Sequence, residues 1–388
     1  MKTIAQQYER EVRDTVIPFW ERYSVDTQFG GYFNCLDRDG TVFDTEKFMW
    51  PQWRNVWMFS ELYSTFEQRD DWLRIARGGY DFLVTHGRDL QGRYYFSLAR
   101  DGTPATAPYN IYSDCFATMG AAAYYRATRE QRARDEALRS FAIYQGRKRA
   151  PKQQWEKSLP RRNAMQTLGY YMMEINLSVV LEDCLGDTSY RSLMRQSIDF
   201  VFNTFWNEKM GVLFENRPVG GEFDLASMAG RHLNPGHAIE AMWMIMLAAE
   251  RVGHPAAVQK AADVLLKMLD YGWDKEFGGI FYFMDAMGRP HLELQWDMKL
   301  WWVHCEALIA TAMALQLTRQ GEFKSWFEKI HEWTWSHFPD SQYGEWFGYL
   351  NRRGEVTHTL KGGKWKAFFH LPRALLLCSR CLSDTVVA

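Results

Sequence analysis

The sequence predicts an all-α fold, an (α/α)6 barrel of six helix-pair repeats with short β-hairpins at the end where an active site would open. Three observations predict it. A glycine–aromatic element recurs along the chain, as Gly30-Gly31-Tyr32-Phe33, Gly92-Arg93-Tyr94-Tyr95-Phe96, Gly211-Val212-Leu213-Phe214, Gly278-Gly279-Ile280-Phe281-Tyr282 and Gly344-Glu345-Trp346-Phe347, at intervals of about 60 to 67 residues with one double interval. Each copy is followed nine or ten residues later by a second turn: Arg38-Asp39-Gly40, Arg100-Asp101-Gly102, Gly220-Gly221, Met287-Gly288 or Arg352-Arg353-Gly354. Between these elements lie pairs of helix-length stretches with apolar residues at helical spacing, for example 234–253 and 256–272.

A glycine-opened aromatic run, a turn and a second run read as a short β-hairpin. A unit of hairpin, inner helix and outer helix cannot bury its own apolar faces, so the units must stack, and six of them can close into a ring. In such a ring every inner helix starts at the same end, and the first turns converge on one cavity. Proline, favoured at the first helical position because its missing N–H would have no partner there, marks candidate inner-helix starts at Pro51, Pro108, Pro235 and Pro372.

The bulk composition narrows the function. No linker, low-complexity stretch or long run of one charge divides the 388 residues, so residues 1–388 read as a single catalytic domain. Lys and Arg total 46 against 47 for Asp and Glu, a net charge of -1 that offers no field for nucleic acid or anionic lipid. The apolar runs are short and the first residues lack the pattern of a signal peptide, which points to a cytoplasmic protein with no membrane partner. The six cysteines are too sparse for a disulfide scaffold, and Cys378-x-x-Cys381 reads as a pair of buried thiols. The 16% aromatic content, with 17 Trp, fits a site that stacks rings against the apolar faces of sugars.

Near the predicted helix starts stand polar groups that an apolar core would not need: Arg54, Asp114, His237 with Glu240, His304 with Glu306, and His370 with Arg373. Arg54, Asp114, His237, Glu306 and His370 follow one another at roughly the repeat interval. His237 and His370 are the candidate acid–base pair, because inverting a carbon next to a carbonyl needs a proton removed from one face and delivered to the other. His237 lies three residues after Asn234, in an Asn-cap and Pro start, and the helix N-terminus is expected to keep its imidazole neutral. Arg54 is suited to a developing oxyanion. His237-x-x-Glu240 and His304-x-Glu306 are not specific metal spacings, and no metal is expected.

The blocks GRHLNPGHAIEAMW (230–243), WDMKLWWVHCEAL (296–308) and GEWFGYLNRRGEVTHTLKGGKWKAFFHLPRAL (344–375), with GGYFNCLDRDGTVFDTEKFMWPQWRNVWMFS (30–60) and PYNIYSDCFA (108–117), resemble the N-acylglucosamine 2-epimerase family over nearly the whole chain. The resemblance implies an (α/α)6 barrel, in a homodimer, that interconverts N-acetyl-D-glucosamine and N-acetyl-D-mannosamine through an enediolate-like intermediate, with no cofactor for the chemistry. It places the two histidines on His237 and His370, ring opening and oxyanion stabilisation on Arg54, Glu240 and Glu306, and substrate stacking on Trp302 and Trp365. It adds Asn176 as a substrate-binding residue and Asp114, His304 and Arg373 as supporting ones.

Two features depart from the family pattern. Disaccharide epimerases of this superfamily carry a His one turn after the Asn that is Asn176 here, and this chain has Val180, which favours a monosaccharide. Members activated by ATP have a Gly- and Lys-rich loop between repeats two and three. Here residues 147–162, RKRAPKQQWEKSLPRR, hold seven basic residues and one acidic but no glycine, leaving Lys148, Arg149 and Lys152 as the candidate nucleotide-binding residues for ATP as an allosteric activator.

Three other readings stay open on the residues alone. An aldose–ketose isomerase, such as a mannose isomerase, would reprotonate the same intermediate at C1. An α/α-barrel glycosidase would use two carboxyls among Asp114, Glu240 and Glu306. A non-catalytic binding role is the third, since vertebrate relatives were described as renin-binding proteins.

Overall fold

A computed structural model describes residues 1–157 and 164–384. The chain alternates between an outer and an inner ring of helices. It begins on the outer ring with α1 (Lys2–Glu11), which continues through a π-turn (Val12–Val16) into α2 (Ile17–Tyr23). Inner α3 (Met49–Thr65), outer α4 (Asp70–His86), inner α5 (Tyr112–Thr128), outer α6 (Gln131–Arg147), inner α7 (Leu168–Leu185) and outer α8 (Arg191–Phe205) follow. After the single turn α9 (Met228–Arg231) come inner α10 (Pro235–Arg251), outer α11 (Pro255–Gly272), inner α12 (Trp301–Thr318), outer α13 (Gly321–His337) and inner α14 (His370–Asp384). This is the predicted (α/α)6 barrel, with α1 and the π-turn serving as the sixth outer helix against α14.

The two rings differ in sequence for a physical reason. Outer helices meet water on one side, so α4 buries a stripe of Trp72, Ala76, Gly79, Tyr80 and Leu83. Inner helices are enclosed all round, and α12 is buried almost without break from Val303 to Leu315. Close approach needs small residues: a Cβ on Gly120 of α5 would stand 2.8 Å from the Trp53 carbonyl oxygen of α3. The ring closes where Phe368 and Phe369, just ahead of α14, meet Phe59 at 5.0 Å and Trp57 at 5.2 Å on α3.

Hairpins form at Arg38-Asp39-Gly40, Arg100-Asp101-Gly102 and Arg352-Arg353-Gly354, but at the other two predicted turns the strands pair elsewhere, Asn216–Pro218 with Met165–Thr167 and Met284–Asp285 with His232–Leu233, and the glycine–aromatic runs are not first strands. Tyr32, Tyr94, Ile280 and Trp346 instead bridge back to the chain leaving an outer helix, at Val25, Arg88, Trp273 and Pro339. The hairpin arms come a few residues later, as in Cys35–Leu36 against Val42–Asp44. Positive φ at Gly31 (69°), where a Cβ would meet the Gln52 amide oxygen at 2.8 Å, is what the reversal requires. The prolines are also shifted. Pro235 opens α10, whereas Pro51 and Pro372 are the third residues of α3 and α14 and Pro108 precedes α5 altogether. Pro51, Pro235 and Pro372 all fall in the first turn of their helices, where a missing N–H costs no bond.

The turns do electrostatic work that their sequence does not advertise. Arg38, Arg100 and Arg352, each opening a hairpin turn, reach an aspartate just past the end of an outer helix: Asp340 at 2.7 Å, Asp26 at 2.9 Å and Asp274 at 2.8 Å. A buried lysine completes each cluster, Lys361 on Asp340 at 2.9 Å, Lys47 on Asp26 at 3.1 Å and Lys299 on Asp274 at 3.1 Å. The Arg38–Asp340 clasp joins the first unit to the last and so locks the ring. Burial would raise the Asp26 carboxyl, but its Arg100 and Lys47 partners pull it down to about 2.

Removing the carboxylate from one clasp strands a fully buried ammonium, and breaking such a pair costs about 3 kcal/mol or more. Asp274→Asn should therefore lower the melting temperature measurably, and adding Lys299→Met should recover part of the loss. Unchanged thermal unfolding in Asp274→Asn would show that the clasp does not hold the ring.

Candidate active site

The inner-helix starts surround a cavity of about 510 Å³. His237 lies on the first turn of α10, where the Asn234 side-chain oxygen accepts its backbone N–H at 3.1 Å. His370 is the first residue of α14. Helix α12 stands between these two in the ring. Its Trp302 lies 5.4 Å from the His237 ring and 5.8 Å from the His370 ring, so both imidazoles border the same stretch of cavity.

Each histidine has a carboxylate at Nδ1. Glu306 accepts from His370 Nδ1 at 2.7 Å, and the two Glu215 oxygens lie 3.1 and 3.0 Å from His237 Nδ1. A carboxylate at Nδ1 fixes that nitrogen as the N–H and leaves Nε2 as the reactive atom. The two rings nevertheless hold protons differently. Burial lowers the pKa of His237, but the charge and hydrogen bond of Glu215, with Glu240 and Glu306 adding, together outweigh it, and the net result is a raised pKa. Burial dominates at His370 and brings it down to about 3, assisted by the positive charges of Arg54 and Arg373. His237 is therefore not kept neutral by its helix N-terminus: the dipole is overridden by a full charge in hydrogen-bond contact.

Beneath His370, one guanidinium gathers the acids. Arg373 donates to Glu240 at 3.1 Å and to Glu306 at 2.5 Å, while Trp243 Nε1 donates to the other Glu306 oxygen at 2.9 Å. Burial would raise Glu306, yet Arg373 and His370 hold it well below the usual carboxylate range. Glu240 goes the other way, raised by burial and by the charge of Glu306. Glu240, Glu306 and His370 have ligand-type atoms within 4.8 Å of one another, but Arg373 already supplies positive charge to both carboxylates.

Arg54 lines the cavity between the rings of Phe116 at 4.0 Å and Phe369 at 4.7 Å. Its Nε is buried without a partner, and among the described residues no carboxylate hydrogen-bonds its guanidinium. Burial lowers its pKa to about 10, so it stays charged at neutral pH. Trp365, 44% exposed, stands at the mouth with its ring 5.1 Å from Trp50.

The chain matches the family description N-acylglucosamine 2-epimerase (GlcNAc 2-epimerase) over residues 31–374. It is 37% identical to the N-acylglucosamine 2-epimerase of Mus musculus over 97% of this chain and 91% of that one. It belongs to the N-acylglucosamine 2-epimerase family. As a member of that family it is an isomerase, a sugar 2-epimerase. Two solved structures share its fold: a cellobiose 2-epimerase from Bacillus thermoamylovorans (TM-score 0.84, 21% identity, 98% of this chain and 100% of that one) and a D-mannose isomerase (TM-score 0.81, 16% identity, 97% of each).

Among the residues singled out from the epimerase sequence, Arg54, His237, Glu240, Trp302, Trp365, His370 and Arg373 line the one cavity. Others do not. Glu306 is fully buried and reaches the cavity only through His370 and Arg373, so it is not in contact with substrate space. Asn176 lines a separate cavity of about 200 Å³ on the far side of Arg373.

Asp114 and His304 hold the glycine–aromatic reversals. Asp114 accepts the Tyr94 N–H at 3.1 Å and pairs with Arg147 at 2.6 Å, while His304 Nε2 accepts the Ile280 N–H at 3.0 Å. His304 therefore supports a backbone turn rather than Glu306. Of the three carboxyls that a glycosidase reading named, only Glu240 lines the cavity: Asp114 stands outside it, and Glu306 is buried on the guanidinium that also holds Glu240.

In the basic segment, Lys148 is tied to the buried Glu174, whereas Arg149 and Lys152 are exposed. Residues 158–162 of that segment lie outside the described residues. Among the described residues no helix is long and apolar enough to cross a membrane.

Glu215 was not anticipated. It directly follows the Gly211-Val212-Leu213-Phe214 run, and an acid placed there, at the cavity end of the repeat, is the signal that could have found it. Because Glu215 raises the His237 pKa, Glu215→Gln should lower the pH at which His237 titrates, by about one unit or more on the scale of a close charge pair. Imidazole NMR over a pH series checks this, and an unchanged His237 midpoint would mean that the carboxylate does not set its protonation.

Proposed function

We propose that the protein interconverts N-acetyl-D-glucosamine and N-acetyl-D-mannosamine by moving one proton off C2 and another onto its opposite face. The observation that carries this reading is the pair of histidines on one cavity, each oriented by its own carboxylate and each biased toward a different protonation state. Neutral His370 takes the C2 proton from the epimer whose C–H faces it. Protonated His237 then delivers its proton to the other face. After turnover the proton inventory is reversed, and exchange with solvent returns it to the resting state.

Arg54, charged and without a carboxylate partner, stabilises the oxyanion that develops as the enediolate-like intermediate forms. Glu240, whose raised carboxyl exchanges a proton near neutrality, serves the ring opening that exposes the C1 carbonyl. Trp302 and Trp365 present rings to the apolar faces of the sugar. No step draws on a redox cofactor or a catalytic metal.

The same reading extends to the whole protein as a single catalytic domain, a homodimer working in the cytoplasm, with ATP entering only as an activator at the exposed Arg149 and Lys152. Light scattering reports the dimer, and assays with and without ATP report the activation.

Proton NMR of N-acetylmannosamine in D2O should show N-acetylglucosamine forming with deuterium at C2, and net conversion should fall by at least about 10³-fold in His237→Ala and in His370→Ala. Deuterium at C1 of a ketose product would instead make the protein an aldose–ketose isomerase.

The pH dependence follows from the same assignment. The productive form needs His370 neutral and His237 protonated, so activity should be lost on the alkaline side as pH rises through the raised His237 pKa. Forward and reverse reactions should share that limb, because they draw on the same total number of protons. A kcat/KM that does not fall as pH rises through the His237 midpoint would contradict it.

A further inference from the structure

The wall beside His237 carries a third histidine with a fixed proton. His232 sits on the strand His232–Leu233 that leads into α10, and it lines the cavity with Phe283, whose ring lies 4.8 Å away. Its Nδ1 is 3.0 Å from Nε2 of His291, and His291 Nδ1 in turn accepts the backbone N–H of Glu293 at 2.9 Å.

The backbone donor decides the order of protons along this chain. An N–H pointing at His291 Nδ1 requires that nitrogen to be bare, so the His291 proton is on Nε2 and is donated to His232 Nδ1. Neutral His232 must then carry its own proton on Nε2. Among the described residues no hydrogen bond engages that Nε2. Protonating His232 would place a second proton on Nδ1, facing the His291 N–H, and burial, with the His291 and His237 rings, disfavours the charged form despite the nearby Glu215 charge.

We infer that His232 is a substrate-recognition residue, a neutral N–H donor that binds the acyl oxygen of the substituent at C2, with His291 positioning it. The inference rests on the proposed N-acyl sugar substrate and names what recognises its distinguishing group. Two observations place the contact at C2. His232 is five residues ahead of His237 on the same segment, and its carbonyl accepts the N–H of Glu215, the residue that orients His237. The group bonded to the carbon that His237 reprotonates therefore lies against this wall. An amide oxygen meets the donor there, and the acyl methyl meets Phe283 and Tyr282.

A site built to donate to a substrate oxygen loses affinity sharply when the donor goes, since the oxygen is then buried without a partner. His232→Phe keeps the ring and removes the donor. It should raise KM for N-acetylmannosamine about tenfold or more, with kcat for C2 deuterium incorporation changed far less. His232→Gln restores an N–H and should recover much of the KM, and His291→Ala, outside the cavity, should raise KM in the same direction by releasing the tautomer. Imidazole 15N spectra of the full chain should show His232 as the Nε2–H tautomer, with that resonance moving on addition of N-acetylmannosamine.

An unchanged KM in a His232→Phe variant that unfolds at the normal temperature would overturn the inference, as would an Nδ1–H tautomer. Failure of the functional reading looks different: the wild-type chain would then exchange no C2 proton of an N-acyl sugar, while the tautomer spectrum would still report on His232.

Discussion

Two carboxylates can lie buried side by side at the base of the cavity because a single guanidinium, that of Arg373, binds both. Without it, Glu240 and Glu306 would repel each other in a medium that screens charge poorly, and one would take up a proton or unfold its surroundings. With it, Glu306 remains ionised and free to hold His370 by Nδ1, and the remaining imbalance falls on Glu240 as a raised pKa. The tautomer of His370, the proton on Glu240 and the field felt by Arg54 all follow from that one cation. Its own place is set by α14, whose closing contacts with α3 and α12 complete the ring.

The asymmetry between the two histidines follows the same logic. His370 is surrounded by Arg54 and Arg373 as well as Glu306, so its carboxylate contact does not overcome burial and cationic neighbours. His237 has both Glu215 oxygens at its Nδ1, and no cation is among its main influences. A neutral His370 facing a His237 biased toward its protonated form suits a transfer that removes a proton on one side and supplies it on the other.

Much of this was legible in the sequence. Repetition of the glycine–aromatic element revealed the ring, and the polar residues beside inner-helix starts revealed most of the cavity. Helical phase was the harder part. Asp114 and His304 fall on the same repeat spacing as the catalytic candidates, yet a shift of one or two residues, each about 100° around a helix, turns them toward the backbone reversals instead of the cavity. Gln52 has the same task in α3, accepting the Tyr32 N–H at 2.9 Å, and comparing the three would have separated these positions from Arg54, Glu240 and Glu306. Glu215 and His232 lie on the extended segments ahead of α10 and not in the helix, so a search confined to the helices passed over them. Asn176 lies on an inner helix as expected, but two turns beyond its start, which puts it below Arg373.

The central claim is that each histidine serves one face of C2, and the most direct measurement is C2 proton exchange in D2O for each epimer separately, with His237→Ala and His370→Ala. The account predicts complementary losses: each variant ceases to interconvert the epimers, but the one surviving histidine still exchanges the C2 proton of the epimer that presents its C–H to it. If one variant loses exchange with both epimers while the other variant keeps both, a single base serves both faces and the two-histidine account is wrong.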